Sequence, residues 1–157
     1  RNFEYMGEDP YLSSKMVVPY IQGLQSCGVA ACVKHYAMNN EEEYRHQVNV
    51  IVSDRALHEI YLPAFRAAVV EGKAWGIMGA YNLYKNQHNC QNEELLMKIL
   101  KGDWNYDGVV VDGDFGQATE AALMRWQKNH SLTQTGVVDA DTLQQLEAAE
   151  TAWLLRE

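Results

Sequence analysis

The chain has 157 residues, 47% hydrophobic and 10% aromatic, which suits one domain, or one domain plus a small module, with an apolar core. Its formal net charge of −8 argues against a nucleic-acid partner, because phosphate binding requires clustered Lys and Arg. No run reaches the ~18–20 apolar residues of a membrane span, so we expect no membrane partner. The chain starts at Arg1, inside a motif and without a signal peptide, so we expect a fragment or processed piece.

The first predicted element is a helix over about residues 11–26. Asp9 suits the N-cap and Pro10 the first helical position, and Gly28 ends the helix. Pro19 lies inside it and predicts a kink or a break. The inward apolar stripe is predicted at Leu12, Met16, Tyr20 and Leu24.

Helical and extended patterns then alternate. The apolar run 29–36 predicts a strand buried on both faces, and alternating valines at 48–52 predict a short extended stretch. Ser53 caps a predicted helix over about 54–71, which should bend at Pro63. Residues 39–46 between these elements form a predicted polar loop.

The pattern continues with a candidate strand at 75–82, a polar loop at 84–91 and a helix over 93–101 capped by Asn92. Val109 to Val111 predict a short buried strand after an Asp-Gly turn. Strands that alternate with helices indicate parallel βαβ units, so residues 1–111 are predicted to be an α/β segment.

Five separated motifs of residues 1–111 follow the order and spacing of one enzyme family. They are Arg1 with Glu4 and Glu8-Asp9-Pro10; Val33-Lys34-His35-Tyr36; Arg55-Ala56-Leu57 with residues 59–65; Met78 with Ala80-Tyr81-Asn82; and Gly108-Val109-Val110-Val111. With these motifs the segment resembles glycoside hydrolase family 3, of the β-glucosidase type. The resemblance implies a TIM-like barrel, here partial, since a full barrel takes about 250 residues.

The same resemblance implies a sugar pocket. In the family the matching Arg and the Lys-His pair hold the hydroxyls of the sugar at the cleavage site, and a Tyr lines that pocket. These roles fall on Arg1, Lys34, His35 and Tyr81, the candidate substrate-binding residues. The chemistry is consistent, because charged donors at the carboxyl end of a buried strand point into a pocket and sugar hydroxyls need directional donors.

The catalytic pair is not matched in the same way. Retaining glycosidases need two carboxyl groups, and in this family the nucleophile is the Asp of a Ser-Asp-Trp after the Val run. Here Asp112 falls on the Ser and Gly113 on the nucleophile, so Asp112 and Asp114 are weak nucleophile candidates only. A one-residue slide would turn Asp112 to the other face of the strand. The family's acid/base comes from a later domain.

Beyond residue 111 the pattern becomes helical, with helices predicted over 117–129 and from 143. The motifs are Val111-Asp112-Gly113-Asp114-Phe115-Gly116, Thr119 to Leu123, Trp126-Gln127, Leu132, Thr135 to Asp139, and Thr142 with Leu146. They resemble the peptidoglycan-binding domain found beside wall hydrolases, which is an all-α three-helix bundle. The module is predicted over 112–157 and can recruit helix 93–101, which extends the resemblance to 93–147.

No cofactor or metal is predicted. His58-Glu59 lacks the second His of a zinc motif, and a calcium loop from Asp112 would have Leu123 where a Glu is needed. The three cysteines, Cys27, Cys32 and Cys90, match no zinc or redox spacing and are predicted to be free, mostly buried thiols.

Together these features predict a carbohydrate-associated hybrid: a sugar-pocket remnant joined to a wall-binding module, catalytically incomplete. The alternatives are an active β-glucosidase and a non-functional recombined or designed chimera. The predicted partners are a β-glucoside or a peptidoglycan glycan. Residues 112–157 have a net charge of −5, which favours a neutral sugar or a partly cationic ligand over an anionic one. Open strand edges predict self-association, and the wall-binding resemblance favours an extracytoplasmic location.

Overall fold

The computed structural model describes residues 4–112, 124, 127–135 and 141. The chain divides into two compact units, Arg1–Gly113 and Asp114–Glu157. The helices predicted over 117–129 and from 143 therefore lie largely outside the described residues. Within the second unit, residues 127–129 are helical, and Gln127 is buried.

A parallel three-stranded sheet organises the first unit. Its strands are β1 (Cys32–Tyr36), β3 (Gly76–Gly79) and β6 (Val109–Val111), in the order β1-β3-β6. Cys32 pairs with Gly76 and Gly76 with Val109, so the strands start and end at similar heights. The predicted parallel α/β arrangement is confirmed, because each crossover between these strands contains helices.

A second, smaller sheet contains β2 (Asn49–Val50), β4 (Leu83–Tyr84) and β5 (Gln87–His88). The prediction of a polar loop at 84–91 was wrong at its start, because β4 and β5 form a hairpin there. Its turn residues Lys85 and Asn86 have φ of 51° and 63°, the left-handed geometry that two-residue hairpins need. Such short strands leave almost no periodic pattern in the sequence.

Helix α1 (Pro10–Gln25) begins as predicted, with the Asp9 carboxylate accepting from the backbone N–H groups of Tyr11 and Leu12. The helix runs without a break across Pro19, so the break that Pro19 predicted as one outcome does not occur. Pro19 and Lys15 are both exposed, so water can solvate the Lys15 carbonyl that loses its helical partner.

The predicted inward stripe of α1 was wrong at three of its four positions, and only Leu24 packs partly against the core. Leu12, Met16 and Tyr20 are 49%, 47% and 66% exposed, whereas Val17 and Ile21 are buried. Val17 and Ile21 pack in a cluster with small residues of the following helix and of the sheet edge. These neighbours are Ala31, Ala67, Ala68 and Ala74.

The helix predicted over 54–71 forms in three parts: α2 (Asp54–Ala56), a π-helical segment (Leu57–Tyr61) and α3 (Pro63–Val70). The Ser53 hydroxyl accepts from the backbone N–H of Ala56, which confirms the predicted cap. Pro63 begins α3, and the interruption before it confirms the expected bend.

A second π-helical segment, Glu94–Asp103, replaces the helix predicted over 93–101. Asn92 caps it as predicted, since its Oδ1 accepts from the Leu95 N–H at 3.0 Å. The side chain is buried, and its amide also donates to the Tyr84 carbonyl at 2.9 Å. One residue therefore joins this helix to the small sheet.

The core lies between the parallel sheet and the helices, around Tyr36, Leu57, Ile77, Leu95 and Leu100. Burial on both faces, predicted for the first strand of this sheet, and burial of its last strand, Val109–Val111, were both wrong. In β1 Cys32 and Lys34 are exposed, and in β6 Val109 and Val111 are 65% and 38% exposed. Both strands stand at an edge of the described sheet, with β3 alone between them. Cys27, Cys32 and Cys90 are free as predicted, but Cys27 and Cys32 are exposed and Cys90 half-buried.

Candidate functional site

The candidate site lies where the parallel strands end. β1 carries Lys34 and His35, and Tyr81 follows β3 by two residues. The Ala80 N–H donates to the Tyr36 carbonyl at 2.8 Å, which keeps the two strand ends side by side. The Lys34–His35 and Tyr36–Ala37 peptide bonds are cis. The structure thus brings three of the predicted site residues to one edge of the sheet.

Lys34 is held by a carboxylate from the segment before α1. Its Nζ lies 2.5 Å from Oε2 of Glu4, in an ion pair whose side chains are 39% and 12% exposed. The cation therefore keeps part of its surface in solvent while its direction is set by a largely buried partner. Arg1, the fourth predicted binding residue, lies outside the described residues.

His35 is buried, with 6% of its surface exposed. The Tyr5 hydroxyl lies 2.9 Å from its Nδ1, and the two rings meet edge to face with centroids 6.1 Å apart. Burial raises the pKa of the Tyr5 hydroxyl, while hydrogen bonds with Asn39 and His35 act in the opposite direction. The phenol therefore stays protonated near neutral pH and can hold the imidazole in one orientation.

The Tyr81 ring is covered by two side chains from the loop at 39–47. The Arg45 guanidinium lies 4.8 Å from the ring centroid, and the His46 ring centroid lies 4.6 Å from it. The Glu42 carboxylate accepts from Arg45 Nη1 at 3.0 Å and so braces the cation over the ring. Sequence reasoning missed Arg45 and His46, although their place in a polar loop directly after β1 was a usable signal.

Buried amides fix the backbone beneath these groups. Asn82 and Asn89 both donate to the Ala37 carbonyl, at 3.4 and 2.6 Å, and both side chains are almost fully buried. Because Ala37 directly follows β1 and Asn82 directly follows Tyr81, these bonds tie the ends of β1 and β3 together. Rigid strand ends are what a preorganised site requires.

Asp112 follows β6, beside the half-buried Cys90. Burial raises the pKa of the Cys90 thiol to about 11, and the negative charge of Asp112 adds to the shift. The thiol fills the space over Gly79, because a Cβ built on that glycine would lie 2.3 Å from Sγ. Asp112 therefore stands near the end of β3. Gly113 and Asp114 lie outside the described residues.

In the part of the chain that the structure describes, no group of three or more His, Cys, Asp or Glu side chains is placed to hold a metal ion. No helix among those residues has the length and apolar character needed to cross a bilayer. The site instead offers cations, imidazoles and a phenol ring at the carboxyl ends of parallel strands. Such a site suits the barrel enzymes that bind small polar ligands at this end of the sheet.

Residues 1–137 match the Glycosyl hydrolase family 3 N terminal domain. The chain belongs to glycoside hydrolase family 3. The match begins at Arg1 and continues past residue 111, where the resemblance was first expected to end.

Individual relatives agree with this assignment. The chain is 63% identical over 118 residues to beta-glucosidase BoGH3A of Bacteroides ovatus, covering 75% of this chain and 16% of the relative. It is 41% identical over 128 residues to an exo-alpha-(1->6)-L-arabinopyranosidase of Bifidobacterium longum, covering 78% of this chain and 17% of that protein. The family therefore includes relatives named for different sugars.

The fold is shared with solved β-glucosidases. Beta-glucosidase 3B of Thermotoga neapolitana in complex with glucose superposes with a TM-score of 0.72 and 37% identity, covering 97% of this chain and 22% of that enzyme. The chain thus spans about a fifth or less of the length of these relatives.

Proposed function

We propose that the chain forms part of a pocket for a terminal glucose-like sugar in a family 3 glycoside hydrolase. Lys34 and His35 donate to its hydroxyls, Tyr81 lines one wall, and Arg1 supplies a further donor. The placement of Lys34 and His35 in β1, and of Tyr81 directly beyond the paired strand β3, carries this proposal. The glucose complex of the Thermotoga neapolitana relative supports the class of ligand.

The contacts around these residues fit a neutral, hydroxyl-rich ligand. Glu4 orients Lys34, and Tyr5 orients His35, so each donor is positioned before a ligand arrives. Arg45 lies over Tyr81 and adds a guanidinium whose N–H groups can reach hydroxyls at the same wall. Preorganised donors of this kind bind a polyol without the entropic cost of ordering several long side chains.

The proposal assigns sugar binding, without hydrolysis, to this chain. Position by position, Gly113 occupies the place of the family nucleophile, and Asp112 and Asp114 on either side are its weak replacements. The family's acid/base comes from a later domain. Binding groups without the paired carboxylates would hold a β-glucoside without cleaving it.

We further propose that the C-terminal residues associate with peptidoglycan glycan. The sequence Asp112-Gly113-Asp114-Phe115-Gly116 and the motifs after it support this, as does the division of the chain after Gly113. Co-sedimentation of the whole chain with purified cell walls tests it, and a chain that stays in the supernatant would contradict it.

We also propose that the chain self-associates through β6. Val109 and Val111 are exposed, and in the described sheet β6 pairs on one side only. An unpaired apolar strand edge is a template for pairing with another chain.

Glucose titration followed by ligand-observed NMR tests the sugar pocket. The native chain should bind glucose. Lys34→Ala should weaken binding at least tenfold, since a hydrogen bond from a charged donor contributes ~1.5–3 kcal/mol, and His35→Ala should also weaken it. Lys98→Ala removes an exposed lysine from the helix 94–103 and is the matched control. Equal binding by Lys34→Ala and Lys98→Ala, with both variants folded by circular dichroism, would contradict the proposal. A native chain that binds neither glucose nor walls would instead be the non-functional hybrid.

A further inference from the structure

A series of hydrogen bonds joins the loop at 39–47 to the imidazole of His35. The Glu42 carboxylate accepts from Arg45 Nη1 at one oxygen and from Asn39 Nδ2 at the other, both at 3.0 Å. Asn39 is also hydrogen-bonded to the Tyr5 hydroxyl, which lies 2.9 Å from Nδ1 of His35. We call this series, from Glu42 through Asn39 and Tyr5 to His35, the Glu42 network.

Glu42 fixes the orientation of the Asn39 amide. A carboxylate only accepts hydrogen bonds, so the amide nitrogen must face it. Asn39 is 4% exposed, and among the described residues its Oδ1 has no hydrogen-bond partner. A buried acceptor without a partner is costly, and turning the amide over would present Oδ1 to the Tyr5 hydroxyl. The Glu42 charge opposes that rotation, because it would bring Oδ1 against the carboxylate.

The Tyr5 hydroxyl passes this direction on to His35. The hydroxyl has one proton to donate and two lone pairs that can accept. Burial raises the pKa of Tyr5, whereas hydrogen bonds with the Asn39 side chain and the His35 backbone lower it, as bonds donated to the phenol oxygen do. Both lone pairs are therefore used, and the proton is directed to Nδ1 of His35. A neutral imidazole that accepts at Nδ1 carries its proton on Nε2.

We propose that Glu42 is a positioning residue that makes Nε2 of His35 a hydrogen-bond donor. Its carboxylate sets the direction of every bond in the network, from the Asn39 amide to the Tyr5 hydroxyl to the imidazole. This inference rests on the proposed sugar pocket and assigns one donor in it, since His35 offers Nε2–H to an acceptor oxygen of the sugar. With its other oxygen Glu42 holds Arg45, so one carboxylate positions two of the proposed donors.

Replacing the carboxylate by an amide should reverse the direction of the network. In Glu42→Gln the amide oxygen should face the Arg45 guanidinium, which can only donate, and the NH2 group should face Asn39. The Asn39 amide then turns over, and its Oδ1 accepts from both the new amide and the Tyr5 hydroxyl. Tyr5 consequently accepts from His35 instead of donating to it, which moves the imidazole proton to Nδ1.

Two-bond proton–nitrogen NMR correlation spectra of the full chain at about pH 8, where an ordinary imidazole is neutral, show which ring nitrogen carries the proton. The His35 signals are identified by their loss in His35→Gln. The native chain should show Nε2–H alone, and Glu42→Gln should show mainly Nδ1–H. Tyr5→Phe keeps the ring and removes the hydroxyl, so it should show a mixture of both. Glu43→Gln, at an exposed acid of the same loop, is the matched control and should keep the native pattern.

Glucose titration of the same samples separates this inference from the sugar pocket. Glu42→Gln should weaken glucose binding roughly threefold to tenfold, the range for one lost hydrogen bond, and Glu43→Gln should leave it unchanged. Nδ1–H in the native chain, or Nε2–H alone in Glu42→Gln, would overturn the positioning role and leave the pocket standing where glucose still binds. Nε2–H alone in Tyr5→Phe would do the same, even if Glu42→Gln does not fold. The expected tautomer switch in a protein whose native form binds no glucose would overturn the sugar pocket alone.

Discussion

Lys34 in the middle of β1 and Glu4 ahead of α1 form an ion pair, with Nζ and Oε2 2.5 Å apart. Residues 5–33, which include the whole of α1, separate the two side chains along the chain. The pair therefore ties the N-terminal segment to β1 of the parallel sheet. Because Glu4 is 12% exposed and Lys34 39% exposed, the carboxylate is the fixed partner and the ammonium the accessible one.

Glu4→Gln should weaken glucose binding about threefold to tenfold. The amide keeps the shape of the side chain but removes the carboxylate charge, so the ion pair becomes a hydrogen bond from an ammonium to a neutral oxygen and Lys34 is held less firmly. Titration by NMR measures the change, with Glu8→Gln, at an exposed residue, as the control. Unchanged binding in Glu4→Gln would contradict an orienting role for Glu4. Tighter binding would show that Glu4 competes with the sugar for Lys34.

Cys90 reports on Asp112 through its reactivity. Burial, with a smaller contribution from the Asp112 charge, raises the pKa of the thiol from 9.0 to about 11. At pH 8 iodoacetamide should therefore modify the exposed Cys27 well before Cys90, because the thiolate is the nucleophile. Asp112→Asn should lower the pKa of Cys90 and speed its modification modestly.

Peptide mass spectrometry at timed intervals measures these rates, and Asp107→Asn, an exposed acidic residue, is the control for net charge. The raised pKa of Cys90 also makes the stability of the fold depend on pH. Folding raises the pKa of the thiol, so the protonated thiol contributes fully to the free energy of unfolding below pH 9. That contribution is lost as the pH rises towards about 11. Equal rates of modification at Cys27 and Cys90 would contradict the buried setting of Cys90 beside Asp112.

The two predicted helix caps should differ in their contribution to stability. Ser53→Ala removes one exposed hydrogen bond and should cost about 1 kcal/mol. Asn92→Ala removes a buried cap and also the donor to the Tyr84 carbonyl, and should cost about 2–4 kcal/mol. Urea unfolding measures both, and similar losses at the two positions would contradict the buried geometry of Asn92.

Self-association through β6 should depend on its exposed valines. Val109→Lys should shift the chain towards monomer in sedimentation velocity, because a charge on a strand edge disfavours pairing with another chain. Met97→Lys, at a residue of the helix 94–103 that is 62% exposed, is the control. A native chain that remains monomeric across a wide concentration range would contradict self-association through this edge.

The features that local sequence determines were predictable. Ser53 and Asn92 are polar residues immediately before helical patterns, and both cap helices in the structure. Pro63 interrupts a helix as its missing N–H requires. The strands 29–36, 75–82 and 109–111 were located, with shorter bounds for the first two, because apolar runs between helices indicate parallel strands.

Features that depend on tertiary packing were not predictable in the same way. Helix α1 has two apolar rows, one through Met16 and Tyr20 and one through Val17 and Ile21, and either satisfies helical periodicity. The small side chains Ala67 and Ala68 select the second row, because they allow close packing. Similarly, the contacts of Arg45 and His46 with Tyr81 join residues about 36 positions apart and leave no local pattern.

The most direct measurement pairs glucose binding with cleavage of an aryl β-glucoside by the same preparation of the full chain. Glucose should bind, and no aryl alcohol should be released above the uncatalysed rate, because a missing catalytic carboxylate lowers turnover by several powers of ten. Turnover that Asp112→Asn or Asp114→Asn alone abolishes would identify a nucleophile and contradict sugar binding without hydrolysis. Turnover that survives both substitutions would come from a contaminating enzyme and leave the expected result, binding without cleavage, in place.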